Sequence, residues 1–137
     1  PAAGLVMVGG GSKRRALEAL AARLSLGGQV VFEGWRDDLA SYYKTADLFL
    51  NTSNYEGYGR TMVEALAAGL PALSTDVGAA REVGAEVVER NDVGRALRNA
   101  LRRGRYQSVL RNYPYKSRGD YLDAIKRGWV TCAQRDR

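Results

Sequence analysis

The 137 residues, 45% hydrophobic and 26% charged, describe one ordinary globular domain and exclude a wholly disordered chain. No apolar run reaches the roughly 18 residues of a membrane-spanning helix, and the opening PAAGLVMVGGG is no signal peptide, which reads as a cytosolic or peripheral protein. One cysteine and no histidine exclude an internal disulfide, most zinc sites and any Ser-His-Asp triad, while a net charge of +6 points to an anionic partner: nucleic acid, a lipid surface or a phosphorylated small molecule.

In chain order, GLVMVGGGS (4–12) reads as a buried strand that ends in a glycine turn. The next segment places Leu17, Leu20, Ala21 and Leu24 on one helical face, with Ser12 as the cap and Gly27 and Gly28 as the stop. QVVFEG (29–34) predicts a second strand, DDLASYYKTA (37–46) a short helix and DLFLNTS (47–53) a third strand. A helix starts near Arg60, followed by a strand at 70–76, a helical turn at 79–84 and a short strand at 85–90. Asn91 or Asp92 then caps a helix that aligns Val93, Ala96, Leu97, Ala100 and Leu101. Strands alternating with helices predict an α/β fold, a Rossmann-like parallel sheet with helices on both faces, whose ligands sit at the carboxyl ends of the strands. The chain opens on a core strand, which reads as a fragment of a longer protein.

The chemistry concentrates in SNYEGYGRTMVEALAAGLP (53–71). Glu56 falls in the loop after the third strand and Glu64 just over one turn into the following helix, so both can face one crevice. Gly57 and Gly59 let the backbone approach a ligand, and the amides of Tyr58 to Thr61, with the charge of Arg60, favour a phosphate. The carboxylates suit sugar hydroxyls, and a sugar nucleotide carries both groups. From spacing alone, Glu64 reads equally as a solvated helix acid and Glu56 as a loop acid that caps amides.

The stretch NYEGYGRTMVEALAAGLPALSTDVGAAREV resembles the retaining GT-B glycosyltransferases of family 4, whose E-x7-E element appears as Glu56 and Glu64. The resemblance runs through residues 4–90. It implies that residues 1–137 are a single donor-nucleotide-binding domain, the C-terminal half of a GT-B fold, with 105–137 a helical extension and the acceptor domain outside the chain. It further implies transfer from a UDP-, GDP- or ADP-sugar to a saccharide, lipid or other acceptor, with retention and without a metal or other cofactor. Glu56 would be the catalytic contact to the donor sugar, Gly57, Tyr58, Gly59, Arg60 and Thr61 would meet the phosphate or sugar, and Glu64 the ribose. Gly9, Gly10 and Gly11 would line the phosphate side, and the backbone from Gly34 to Arg36 the base. Trp35 reads first as packing and second as a stacking platform for the base. The family's basic diphosphate clamp lies upstream of the first strand; Lys13 and Arg60 lie within reach but are not equated with it. The fragment alone is therefore expected to bind donor and transfer little.

Other signals weigh less. VGGGSKR is a partial dinucleotide fingerprint with Arg14 in place of its third glycine, so an NAD domain stands far behind. NTS (51–53) is set aside as a glycosylation acceptor, and Cys132 reads as an inert thiol. The basic, tyrosine-rich tail, with Tyr121, Leu122, Ile125 and Trp129 at helical spacing, predicts docking on the domain or on the anionic inner face of a membrane ahead of nucleic acid. The alternative from another class is a non-catalytic Rossmann-like module that binds nucleotide or nucleic acid.

Overall fold

The computed structural model describes residues 3–104, 106 and 108–112; the tail helices expected within 105–137 lie almost wholly outside the described residues. The elements follow the expected order. They are β1 (Leu5–Met7), α1 (Arg14–Arg23), β2 (Val30–Phe32), α2 (Leu39–Thr45), β3 (Phe49–Asn51), α3 (Arg60–Ala67), β4 (Ala72–Ser74), α4 (Ala80–Val83), β5 (Glu86–Val87) and α5 (Val93–Arg103), with a 3-10 turn at Arg90–Asp92 before the last helix.

All strand pairing among the described residues is parallel, as the alternation of strands and helices requires. It forms two ladders, β1–β2 and β3–β4–β5. The core lies under the second ladder. Met62, Val63 and Leu66 of α3 pack with Ala72 of β4 and with Ala79, Ala80 and Val83 around α4, while Tyr43 of α2 joins Ala65 and Leu70 in an adjoining cluster. The apolar positions of α3 lie at spacings of three and four, so one stripe of the helix is fully removed from water.

The first ladder differs from expectation. β1 reads as a buried strand, yet Val6 and its register partner Val31 are each 50% exposed. Met7 and Phe32 line one cavity together with Leu17 of α1 and are only partly buried, and Leu5 at the other end of β1 is 42% exposed, so this two-stranded ladder is incompletely covered. Leu20 and Leu24, assigned to the buried face of α1, are likewise exposed, and only Ala21 of that set is buried.

Both predicted caps are corrected. Lys13, not Ser12, occupies the position before α1; its backbone is already right-handed helical, and no side chain caps the helix. Asp92 does precede α5, but the 3-10 turn leaves it in the same helical region, whereas a capping side chain needs an extended backbone to reach forward. Its carboxylate instead pairs with Arg95 at 2.8 Å. Helix α1 also stops before Gly27: Ser25 takes a left-handed φ of 56°, and the amide of Leu26 turns back to the Ala21 carbonyl at 2.8 Å. Asp38 does cap α2, accepting from the Ser41 amide at 3.2 Å.

Candidate donor site

The predicted residues assemble as two groups, each at the carboxyl end of its own ladder. In the first, β1 runs into the turn Gly9–Gly11, where Gly9 adopts a φ of +119° that side chains avoid. The Gly9 amide donates to the Gly34 carbonyl at 3.0 Å, which brings the expected phosphate-side turn against the expected base-side backbone. A cavity of about 200 Å³ lies beside them, lined by the three glycines, Lys13, Arg14, Met7 and Phe32 among others.

Arg14, which breaks the dinucleotide fingerprint, has a different task. Its guanidinium donates to the carbonyls of Phe32 at 2.7 Å and Glu33 at 3.0 Å, and to the Glu18 carboxylate at 2.8 Å. A glycine allows a helix to close on a strand; here an arginine spans the gap and clasps the start of α1 to the end of β2. Trp35 corrects its first reading. It is not packed but 82% exposed, with its indole N–H donating to Asp37 at 3.1 Å. Arg36 folds back onto Glu33, its Nε donating at 2.9 Å.

In the second group, β3 ends at Asn51 and the chain turns at once. The Ser53 amide donates to the Asn51 side chain at 3.1 Å, and the Thr75 hydroxyl donates to the Ser53 carbonyl at 2.7 Å, tying the loop to the end of β4. The Ser53 hydroxyl then donates to Oε1 of Glu56 at 2.8 Å. Gly59, with φ at +85°, precedes α3, and among the described residues the amides of Gly59, Arg60 and Thr61 find no acceptor. They form an electropositive helix start beside an acid already held by a hydroxyl.

Glu64 is held in a parallel way. The Tyr43 hydroxyl donates to its Oε2 at 3.2 Å, while the exposed guanidinium of Arg60 stands 3.7 Å from Oε1. Burial first, and then the Glu64 charge, push the Tyr43 phenol up to about 12. Because the folded value lies above the ordinary value of 10, this group adds stability that is complete below pH 10 and is lost as the pH rises through about 12. Thermal melts between about pH 9 and about pH 12 are expected to show that loss, and the Tyr43→Phe protein is expected to lack this part of it.

The turn after β4 completes the second group. Gly78 has a φ of +53°, and the Ala79 amide donates to the Tyr58 carbonyl at 3.1 Å, so the 76–79 turn lies directly on the Gly57–Gly59 loop. Arg81 braces that turn by gripping Asp76 through three contacts of 2.7 to 2.9 Å, which holds the Asp76 carboxyl below its usual range. Neither Glu56 nor Glu64 bonds to Gly9–Gly11.

Sequence reasoning missed Ser53, Tyr43 and Gly78. A pair of tyrosines in a helix of seven residues was a usable signal, because the inward one brings a hydroxyl that must find a partner. The other two act through contacts that spacing does not reveal.

Residues 2–103 match the model of the family described as Glycosyl transferases group 1. The chain belongs to that family. This group 1 glycosyltransferase chain is 36% identical over 75 residues to the lipopolysaccharide core biosynthesis glycosyltransferase LpsE of Rhizobium meliloti, covering 55% of the chain and 22% of that relative. It is 40% identical over 73 residues to the lipopolysaccharide glucosyltransferase WaaG of Escherichia coli, covering 53% of the chain and 20% of the relative. Thus it spans about a fifth of the length of these curated relatives.

Among solved structures, WaaG superposes with a TM-score of 0.64 at 31% identity, over 72% of this chain and 29% of that one. A sucrose-phosphate synthase from Thermosynechococcus elongatus gives 0.63 at 34% identity, over 72% and 28%. The Anabaena protein HepE, in complex with UDP-glucose, gives 0.59 at 25% identity, over 72% and 32%. The fold is the α/β fold of GT-B glycosyltransferases, as the resemblance implied. No helix among the described residues is long and apolar enough to cross a membrane.

Proposed function

We propose that the group 1 chain is the donor-binding domain, the C-terminal half, of a retaining, metal-independent glycosyltransferase that moves a sugar from a nucleoside diphosphate sugar to a saccharide, lipid or other acceptor. One observation carries this reading. Glu56 and Glu64 flank the glycine turn that opens α3, and each has one carboxylate oxygen fixed by a protein hydroxyl, from Ser53 and Tyr43 respectively. An acid fixed in this way is prepared to accept hydrogen bonds from ligand hydroxyls, its second oxygen remaining for the ligand. Glu56 takes the donor sugar, Glu64 the ribose, and Gly57 to Thr61 the diphosphate, while Gly9–Gly11 and the backbone from Gly34 to Arg36 line the phosphate and base sides. Trp35, exposed beside that backbone, is free to stack on a base.

Departure of the diphosphate leaves negative charge on its oxygens. Arg60, exposed at the start of α3, and the unbonded amides of the first turn stabilise that charge where it develops. The HepE complex with UDP-glucose and the lipopolysaccharide roles named for LpsE and WaaG support a nucleotide sugar as donor and a saccharide-bearing acceptor.

Calorimetric titration with UDP, GDP and ADP and with their hexose conjugates tests the assignment. Glu64→Ala is expected to weaken the nucleotide and its conjugate alike, by about tenfold or more, whereas Glu56→Gln weakens the conjugate alone. Equal effects of both substitutions on the bare nucleotide contradict the division of roles.

A further inference from the structure

Helix α2 carries two tyrosines in succession, and Tyr43 is the one turned inward, 8% exposed among Leu39, Ala46, Phe49, Ala65 and Leu70. Its ring meets that of Phe49 edge-on, with centroids 6.2 Å apart. A phenylalanine fills such a space without bringing a polar atom that must be satisfied. The tyrosine brings a hydroxyl with one proton, and the hydrogen bond that it donates crosses from α2 to the Glu64 carboxylate on α3.

The two partners differ in how firmly they are held. The Tyr43 ring is packed among Leu39, Ala46, Phe49, Ala65 and Leu70, which limits its freedom. The Glu64 side chain is 41% exposed and has several rotatable bonds, and Arg60, 86% exposed, is too loosely placed to orient it. Of the two contacts recorded on this carboxylate, the one from the packed core is the phenol, which donates to Oε2 at 3.2 Å. The phenol remains a donor through the neutral range, since burial and the Glu64 charge oppose its ionisation.

We propose that Tyr43 is a positioning residue: by holding Oε2 of Glu64 from the core, it aims Oε1 at the ribose hydroxyls of the donor and sets the preference of the site for a ribonucleotide. The inference rests on the reading of Glu64 as the ribose contact. Tyr43 itself does not touch the ligand. Its substitution by phenylalanine keeps the ring and the edge contact with Phe49, so the domain folds and only the aim of Glu64 is lost.

The test compares UDP, GDP and ADP, each beside its 2′,3′-dideoxy counterpart, in equilibrium binding to the chain, to Tyr43→Phe, to Glu64→Ala and to the double variant, with melts to confirm folding. The chain is expected to prefer one ribonucleotide to its dideoxy form, and Tyr43→Phe to lower that preference about fivefold while dideoxy affinity stays within about twofold. In the Glu64→Ala background the same substitution is expected to change nothing, the mark of action through Glu64. A preference lost in Glu64→Ala but kept in Tyr43→Phe overturns the positioning role and leaves the Glu64 reading standing. Equal binding of ribo and dideoxy forms by the unaltered chain, or no binding at millimolar ligand, overturns both.

Discussion

Gly78→Ala is expected to destabilise the domain by about 3 kcal/mol and to displace the glycine loop of the donor site. A Cβ at this position would stand 2.6 Å from the Tyr58 carbonyl oxygen, 2.8 Å from its carbon and 3.3 Å from the Glu56 Cβ. The nearest atoms belong to backbone, so no side-chain rotation relieves the overlap. A φ of +53° adds the strain of a left-handed conformation on any residue with a Cβ. The relief available is for the 56–58 segment to move away, breaking the bond from the Ala79 amide to Tyr58 and carrying Glu56 off the Ser53 hydroxyl. Urea unfolding measures the stability loss, and sugar-nucleotide titration is expected to show weaker binding at temperatures where the variant is still folded. Gly57→Ala supplies the contrast: nothing lies within 4 Å of a Cβ there, and its φ is not among the positive ones, so stability changes little.

Leu66→Ala is expected to cost about 3 kcal/mol, within the range of buried leucine truncations. Leu66 is 1% exposed and packs where α3 meets Ala72, Ala80 and Val83. The same helix carries Arg60 and Glu64, so its seating in the core fixes where those two side chains begin. Leu24→Ala, at a position 56% exposed, is expected to change stability by less than about 0.5 kcal/mol. The helical pattern alone treats these leucines alike, so urea unfolding of the two variants tests the packing that separates them.

The order of elements was legible because each carries its own period: alternate helices and short apolar runs gave, in order, the five strands and five helices of the described residues, and α3 starts at Arg60, where the sequence placed it. The placement of the acids, Glu56 in the loop and Glu64 one turn into α3, was legible for the same local reason, whereas their role was not, since spacing alone fits a solvated helix acid and a loop acid equally well. What failed depended on backbone state or on distant partners. Ser12 and Asp92 are good capping residues by type, but the chain is already helical at Lys13 and at Asp92, and an oxygen on a helical residue cannot reach the amides ahead of it. The exposure of Leu20, Leu24 and Trp35 is a property of the assembled fold that residue type and helical spacing do not carry. The bond from Tyr43 to Glu64 joins residues 21 apart on different helices, beyond the reach of periodicity. Arg14, as a failed glycine, argued against a dinucleotide site, and in the fold it clasps the start of α1 to the end of β2 through the carbonyls of Phe32 and Glu33.

In the proposed reading, the Gly9–Gly11 turn, the backbone near Trp35 and the segment from Glu56 to Glu64 form one donor-nucleotide site. An amide-resolved NMR titration of the 137-residue chain with UDP, GDP and ADP, then with their hexose conjugates, tests it most directly. One nucleotide is expected to shift the amides of all three segments together, and its hexose conjugate to add shifts around Glu56. Shifts confined to other surfaces, or none at millimolar ligand, would contradict it.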